Sequence, residues 1–223
     1  MKKVIAYILF GNQPRYINGL IPNIELVEKY YPDFECWIYI HKPSVPKHVL
    51  SQLETKIETI KSYSSQIFKI IYRDTNLSKD VPKSWRFEPI DDPEVDILIS
   101  RDIDSRIYEK EVVAVNEWIN SGKLFHIMRD NIGHTSKILA GMFGTRKNPK
   151  IPLWKELIDK CYVKGAGYTV DEDFLNKIVY NIIKDDAMVH TSSIKYPGED
   201  IHSFTNNIKN IDEKKFYIGQ IIL

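Results

Sequence analysis

Along the chain, short runs of apolar residues alternate with longer stretches in which apolar residues recur at helical spacing. The short runs predict buried strands, because parallel strands covered on both faces are almost continuously apolar. The predicted strands are 4–10, 36–40, 67–72, 96–100, 124–128 and 188–190. The predicted helices are 16–30, 49–60, 109–120, 154–163 and 173–183, with a short helical turn at 84–89. This alternation predicts an α/β fold with a doubly wound, mostly parallel sheet and helices on both faces.

Length, charge and cysteine content limit the classes of function. The 223 residues suffice for one domain with its own core. The formal net charge is only +1, so we expect no nucleic-acid partner. No apolar stretch approaches the roughly eighteen residues of a membrane helix, so we expect no transmembrane segment. The two cysteines have neither metal-ligand nor disulfide spacing, which predicts a reducing, cytoplasmic location.

Two aspartates end the predicted fourth strand. Asp102 and Asp104 are separated by one residue, so their side chains project the same way if the strand continues and converge if it turns. Open α/β sheets bind ligands at the carboxyl ends of their strands. The pair therefore predicts a site for Mn²⁺ or Mg²⁺ on a diphosphate, because such ions take few protein ligands and complete their shell from water and phosphate. A solvated strand end is the alternative.

Four further positions could complete such a site. Gly11 follows the first strand and either lets backbone approach a ligand or simply makes a turn. Arg86 offers a fork of donors to a phosphate, to a carboxylate or to a surface ion pair. His190 could be the third protein ligand of a metal, with His134 competing for that role and a structural role open for either.

Two further segments have alternative interpretations. The acidic run 171–173 is either part of the site or a favourable start for the following helix. The glycine-flanked segment 141–144 either brings backbone close to a sugar or forms a tight turn.

Together these residues resemble a GT-A glycosyltransferase. That family has a Rossmann-like nucleotide-binding domain, and its Asp-x-Asp motif holds a divalent metal on the diphosphate of a sugar nucleotide. The segment Asp102-Ile103-Asp104 looks like that motif. The chain is similar to the retaining, glycogenin- and galactosyltransferase-like family, and to small GT-A domains of large DNA viruses and bacterial polysaccharide systems. The resemblance implies a single domain over 1–223, with a nucleotide-binding half at 1–106 and an acceptor and catalytic half at 107–223.

The resemblance also implies roles for individual residues. His190 would complete the metal shell begun by Asp102 and Asp104. Arg86 and Lys195 would supply positive charge to the diphosphate of the donor. Asp102 would also bind the donor, through the metal.

The base and ribose of the donor are expected at the ends of the first and third strands. We assign them to Phe10 and Gly11 after the first strand, and to Arg73 or Asp74 after the third.

The segment 171–176 takes the place of an Asp-Gln-Asp-x-Leu-Asn segment, which implies Asp171 and Glu172 as catalytic residues. Either could stabilise an oxocarbenium-like transition state, position the acceptor or act as a base. Glu172 stands where the family has Gln, and Lys195 lies one residue closer to His190 than the family pattern. These departures leave retention or inversion open.

The function implied is metal-dependent transfer of a sugar from a nucleotide donor, a UDP-sugar, to a hydroxyl acceptor on a glycan or glycoconjugate. One alternative is a phosphatase or phosphotransferase of the haloacid dehalogenase type, with Asp102 as nucleophile, Asp104 as acid/base and 184–186 as metal motif. That family places its aspartates after the first strand of its core. A second alternative is a non-catalytic sugar-nucleotide-binding module.

Overall fold

The structure, a computed structural model, describes residues 1–74, 81–149, 151–161 and 170–222. The strands within these ranges are β1 (Lys2–Leu9), β2 (Glu35–His41), β3 (Phe68–Arg73), β4 (Val95–Arg101), β5 (Phe125–Arg129), β6 (Met142–Arg146), β7 (Ala187–Thr191) and β8 (Asp200–His202). They form one sheet in the order β3–β2–β1–β4–β6–β5–β7–β8. Strands from both predicted halves of the chain therefore share a single sheet.

The helices are α1 (Pro14–Tyr30), α2 (Lys47–Lys61), α3 (Glu109–Ser121), α4 (Trp154–Cys161), α5 (Val170–Phe174) and α6 (Tyr180–Ile183). A π-helical segment, Leu175–Val179, joins α5 to α6, and a 3₁₀ segment, Val81–Asp91, precedes β4. Shorter 3₁₀ turns lie at Lys42–Ser44, Lys184–Asp186 and Ile211–Lys215. Among the described helices, none combines the length and the apolar character needed to cross a bilayer.

The central strands carry apolar side chains on both faces of the sheet. Helices therefore cover both faces. Ile5 and Leu9 of β1 belong to the apolar cluster that includes α1, α2 and α3. Val4 and Ala6 of the same strand belong to a second cluster, which includes the 3₁₀ segment Val81–Asp91 with α4, α5 and α6. The predicted α/β, doubly wound, mostly parallel fold is confirmed.

Strand direction places the carboxyl ends of all the described strands except β6 on one edge. β1 is parallel to β2 and β4, and β5 is parallel to β7. β6 is antiparallel to both β4 and β5, so β4 and β5 run the same way. The loops that follow β1, β4, β5 and β7 therefore meet along one edge of the sheet, where open α/β sheets bind ligands.

Two parts of the prediction need correction. The segment 141–144 is not a tight turn as a whole, because only Gly141 belongs to a turn, which the Met142 nitrogen closes onto the Leu139 carbonyl at 3.0 Å, and Met142–Phe143 begin β6 between β4 and β5. Approach of its backbone to a sugar stays a prediction. Gly144 suits this strand since a Cβ there would lie 2.9 Å from the Trp118 ring. The predicted helix 173–183 contains a π-helical segment, and the predicted helix 154–163 is observed to Cys161, with 162–163 outside the described residues.

Candidate active site

The chain turns immediately after β4 and brings the two aspartates to the sheet edge. Ser105 donates to the Asp102 carbonyl from its backbone nitrogen at 3.3 Å and from its hydroxyl at 3.0 Å. Helix α1 holds the turn from the other side, with Asn23 Nδ2 donating to the Ile103 carbonyl at 2.8 Å. A Cβ on Gly19 would lie 1.9 Å from that same carbonyl oxygen. The turn and α1 are therefore in direct backbone contact.

Gly141 makes room for the Asp102 carboxylate. Arg101 pairs with Met142 across β4 and β6, which brings Gly141 opposite Asp102. A Cβ on Gly141 would lie 2.0 Å from Asp102 Oδ2 and 2.3 Å from its Cγ. Any side chain at this position would occupy the space that the carboxylate fills.

Arg86 bridges Asp102 and Asp171. Its Nη1 donates to Asp102 Oδ1 at 2.5 Å, and its Nη2 donates to Asp171 Oδ2 at 2.5 Å. Arg86 and Asp171 are buried, whereas the side chain of Asp102 is 43% exposed. Burial opposes the charge of Arg86, but Asp102 and Asp171 outweigh it and raise the pKa of the guanidinium. The sequence prediction that these three residues share a site is thus consistent with their placement.

Asp104 lies beside the start of α1 and is buried. Arg15 Nε is 3.4 Å from Asp104 Oδ2. Burial raises the pKa of Asp104, and the negative charge of Asp102 raises it further. Ionising both aspartates together therefore costs free energy that a bound cation would offset.

Glu172 borders the same cluster. Its pKa is raised by burial and by the charges of Asp171 and Asp102, while Ser136 Oγ donates to its Oε2 at 3.3 Å. Asn176 holds this helix against the chain before β6, because its side chain exchanges hydrogen bonds with the backbone of Ile138 at 3.0 and 2.9 Å. The predicted segment 171–176 thus lies against the aspartate pair.

The charges of this cluster suit a divalent cation. The charged side chains described there are Asp102, Asp104, Asp171, Glu172, Arg86, Arg15 and Arg106, which interacts electrostatically with Asp104. Four carboxylates against three guanidiniums leave an excess of one negative charge. Carboxylate oxygens are the ligands that Mn²⁺ and Mg²⁺ prefer. The residues present therefore fit such an ion, and Asp102 and Asp104 are the pair that would hold it.

His190 is not brought to the aspartates. Its Nδ1 is 2.9 Å from His126 Nε2, and its Nε2 is 2.8 Å from Glu117 Oε2 on α3. The ring is fully buried, on the α3 face of the sheet, three strands from β4. At the usual strand spacing this separation is about 14 Å. We therefore correct the expectation that His190 shares a metal with Asp102, because both of its ring nitrogens already have partners on another face.

His134 lies much nearer to the pair. It belongs to the loop after β5, and the charge of Asp102 reaches it, although burial lowers its pKa overall. Its Nδ1 accepts a hydrogen bond from the Asp130 backbone nitrogen at 3.1 Å. The neutral ring therefore carries its proton on Nε2, which makes His134 a hydrogen-bond donor rather than a metal ligand in this state. Within the described residues, no group of three or more His, Cys, Asp or Glu side chains is arranged to hold a metal.

Aromatic rings surround the ends of β1 and β2. The Phe10 and His41 ring centroids are 5.3 Å apart, and those of His41 and Trp85 are 5.9 Å apart. Gly11 has a φ of +87°, a backbone conformation that favours glycine, and its nitrogen donates to Ser44 Oγ at 2.8 Å. We call these three rings the aromatic wall. It adjoins β1, which is the neighbour of β4, so it lies on the same edge of the sheet as the aspartate turn.

The remaining predicted donor residues lie at the same edge. Arg73 ends β3, where it pairs with Glu88 at 2.5 Å and lies 5.6 Å from the Trp85 ring centroid. Asp74 follows it and is exposed. Lys195 is exposed in the loop after β7, which is joined to the loop after β5 by a 3.0 Å bond from Ser193 Oγ to the Asn131 carbonyl. None of these three contacts the aspartate pair in the bonds described.

Three residues of this edge were missed by the sequence reasoning. Arg15 is the second residue of α1, His41 is the last residue of β2, and Ser44 ends the 3₁₀ turn that follows β2. Each comes within six residues of a strand end, so a search for polar residues after every predicted strand would have found them.

The segment 184–186 lies on the opposite edge. It precedes β7, whose carboxyl end is on the aspartate edge, and Asp186 Oδ1 accepts from the Leu124 nitrogen just before β5. A phosphatase metal motif at 184–186 would be separated from Asp102 by the length of a strand.

No protein-family model and no curated protein sequence matches the chain. Solved structures are similar to it. One is 4-diphosphocytidyl-2C-methyl-D-erythritol synthase from Anaerococcus prevotii, with a TM-score of 0.51 and 12% identity over 87% of this chain and 90% of that one. Another is a glycosyltransferase involved in the glycosylation of the major capsid of PBCV-1, with a TM-score of 0.51 and 13% identity over 86% and 82%. At these identities the similarity is one of fold, and the fold of this chain is GT-A-like.

Proposed function

We propose that this protein transfers a sugar from a nucleoside diphosphate, a UDP-sugar, to a hydroxyl acceptor on a glycan or glycoconjugate with the help of Mn²⁺ or Mg²⁺. The observation that carries the proposal is the Asp102–Asp104 pair on the carboxyl edge of β4, joined through Arg86 to Asp171. The GT-A-like fold supports it, as does a similar structure that is itself a glycosyltransferase.

In this proposal Asp102 and Asp104 hold the cation, which when bound neutralises charge on the leaving diphosphate. Arg86 is close enough to Asp102 to place its guanidinium on the same phosphate oxygens. His134 Nε2 supplies a further donor at the aspartate edge, and it replaces His190 in the proposed site. Lys195 remains a proposed phosphate contact from the exposed loop after β7.

The two acidic residues of α5 have different proposed roles. Asp171 is buried and bound to Arg86, so it acts as a positioning residue for the guanidinium. Glu172 is less buried and has a raised pKa, which suits a carboxyl group that takes or stabilises charge at the reacting sugar. We therefore propose Glu172 as the catalytic carboxylate.

The nucleoside is proposed to lie along the aromatic wall at the ends of β1 to β3. A base can stack on Phe10, whose half-buried ring is backed by the buried His41 ring. Gly11 permits close backbone approach, and Arg73 with Asp74 offers a donor and an acceptor for the ribose hydroxyls.

Two alternatives are less well supported. The phosphatase interpretation needs 184–186 near Asp102, but the strand direction separates them. A binding module without catalysis would use the same residues to bind the donor. Only turnover of the donor distinguishes it from a transferase.

The test is metal-dependent donor binding. We expect UDP to bind the wild-type protein in Mn²⁺ and at least about tenfold more weakly in EDTA, since removal of the cation leaves the diphosphate facing unneutralised carboxylates. Asp104→Ala should abolish this metal dependence with the fold intact. Isothermal titration calorimetry with UDP measures the affinities, and circular dichroism checks the fold.

The control is Asp173→Asn. Asp173 lies two residues from Asp171 along the chain, but its carboxylate is exposed and pairs with Lys177 at 3.2 Å. It should leave the affinity for UDP unchanged. Equal UDP affinities for the wild-type protein in Mn²⁺ and in EDTA would contradict the proposal. Slow release of sugar from a UDP-sugar in Mn²⁺ separates a transferase from a binding module.

A further inference from the structure

Arg86 has an unusually complete set of partners for a residue expected to bind substrate. Besides its bonds to Asp102 and Asp171, its Nε donates to the Lys83 carbonyl at 3.2 Å. The side chain is only 8% exposed. The guanidinium thus takes the place of a cation between two carboxylates.

The two oxygens of Asp102 have different surroundings. Oδ1 accepts the hydrogen bond from Arg86, and Oδ2 lies in the space that Gly141 leaves open. A cation that binds Oδ1 meets the positive charge of the guanidinium on the same oxygen, so the cation and Arg86 compete for it.

The two partners of Arg86 differ in exposure. The Asp171 side chain is 6% exposed and the Asp102 side chain is 43% exposed. A charge pair that is buried holds more strongly than one that water can reach, because solvent screening is weaker there. Arg86 is therefore expected to keep Asp171 and to give up Asp102 when a competitor arrives.

We propose that Arg86 is an internal counterion that competes with a divalent cation for Asp102 Oδ1, and that on release it stays anchored to Asp171 and donates through Nη1 to the diphosphate. The inference rests on the proposed function and extends it to the order in which the site is filled. It assigns to Arg86 two opposite effects: it weakens binding of the cation alone, and it strengthens binding of the diphosphate once the cation is present.

It follows that the cation and the nucleotide help each other to bind. The nucleotide supplies acceptors for the guanidinium that the cation has displaced, so the cost of breaking the Arg86–Asp102 bond is recovered only when both are present. Such coupling is reciprocal. UDP should therefore increase the affinity of the protein for Mn²⁺ by the same factor as Mn²⁺ increases its affinity for UDP.

The experiment compares Arg86→Gln with the wild-type protein in two titrations. Without nucleotide, Arg86→Gln should bind Mn²⁺ about tenfold more tightly, because a charge-assisted hydrogen bond no longer has to be broken. In saturating Mn²⁺, the same variant should bind UDP about tenfold more weakly, because one phosphate contact is lost. Electron paramagnetic resonance of free Mn²⁺ gives the first affinity and calorimetry gives the second.

Two further variants keep the test decisive. Asp171 is buried, so Arg86→Gln leaves a carboxylate without its partner; the double variant Arg86→Gln/Asp171→Asn removes that charge and should show the same gain in Mn²⁺ affinity. Lys177→Gln removes one positive charge from an exposed position near the site and should leave the Mn²⁺ affinity unchanged.

The outcomes are distinguishable. Tighter binding of Mn²⁺ together with weaker binding of UDP in Arg86→Gln supports the inference. If Mn²⁺ binding depends on Asp102 but is unchanged or weaker in both Arg86 variants, the counterion role is overturned and the proposed function stands. If the wild-type protein binds no Mn²⁺ with or without UDP, both are overturned.

Discussion

Two glycines set the position of the aspartates through the side chains they lack. Gly19 lets α1 touch the Ile103 carbonyl, and Gly141 leaves the space that holds the Asp102 carboxylate. Neither glycine has a polar side chain that could itself take part in the chemistry. The placement of a charged residue therefore depends on backbone packing as much as on the charge itself.

Replacement of Gly141 tests this dependence. In Gly141→Ala the new methyl group would overlap Asp102 Oδ2, so the carboxylate must move. We expect the Mn²⁺-dependent affinity for UDP to fall about tenfold or more, together with a loss of about 1–3 kcal/mol in the free energy of unfolding. Calorimetry and urea denaturation measure the two effects.

Gly144→Ala is the matched control on the same strand. There the new Cβ would meet Trp118 at 2.9 Å, in the core and away from Asp102. It should lower the free energy of unfolding while leaving UDP affinity unchanged. A similar loss of affinity in both variants would show that overpacking of β6, rather than displacement of Asp102, is responsible.

At the scale of elements, a chain of hydrogen-bonded side chains, two of them buried histidines, joins β5, β7 and α3. His126 of β5 bonds to His190 of β7, which bonds to Glu117 of α3. His126 also stacks on Trp118 of α3, with 5.3 Å between ring centroids and 11° between planes. His190 thus has a structural role that its sequence position after a short apolar run did not reveal.

This arrangement predicts that stability depends on pH. Burial lowers the pKa of His126 well below its usual value and also lowers that of His190. The unfolded chain therefore takes up protons first as the pH falls below about 6.5, and stability present above that pH is lost. We expect the free energy of unfolding to fall by about 1 kcal/mol for each of the two histidines between pH 7.5 and 5.5.

Urea denaturation at the two pH values measures this loss. His126→Phe keeps a ring against Trp118 but cannot titrate, so its loss of stability on acidification should be smaller than that of the wild-type protein by about 1 kcal/mol. His48→Gln changes an exposed histidine of α2 and should leave the loss unaltered. An unchanged pH dependence in His126→Phe would argue against this histidine as a source.

At the scale of the whole molecule, the last described residues return to the edge of the sheet that carries the aspartate pair. Lys110 pairs with Asp130, whose Oδ2 also accepts from the Ile218 nitrogen at 2.9 Å. The Ile222 nitrogen donates to the Asp104 carbonyl at 2.8 Å. The segment 216–222 thus connects α3, the loop after β5 and the aspartate turn.

Ile218 anchors this segment, since its side chain is completely buried. We expect Ile218→Ala to lower the free energy of unfolding by about 2–5 kcal/mol, as truncation of a buried isoleucine does. Ile221, which is 48% exposed, is the control, and Ile221→Ala should change it by less than about 0.5 kcal/mol. Equal effects in guanidinium denaturation would mean that the segment is not held through Ile218.

The amino-acid sequence by itself determined the class of fold and the location of the aspartate pair. Six apolar runs correspond to β1 to β5 and β7, because strands buried on both faces must be apolar along their length. The Asp102–Asp104 pair was recognisable because it follows one of these apolar runs. β6 was not visible, since Gly144 interrupts its apolar residues after only two positions.

Only the tertiary structure decided which distant residues meet the aspartates. Arg86 and Asp171 are 85 positions apart, yet a 2.5 Å bond joins them, while His190 is directed to α3 and away from the site. Hydrophobic periodicity reports which face of an element is buried, but the order and direction of strands depend on packing between elements far apart in the chain. For that reason the aspartate pair was readable from local pattern, whereas its ion pair with Arg86, the space that Gly141 leaves for it and the surroundings of His190 were not.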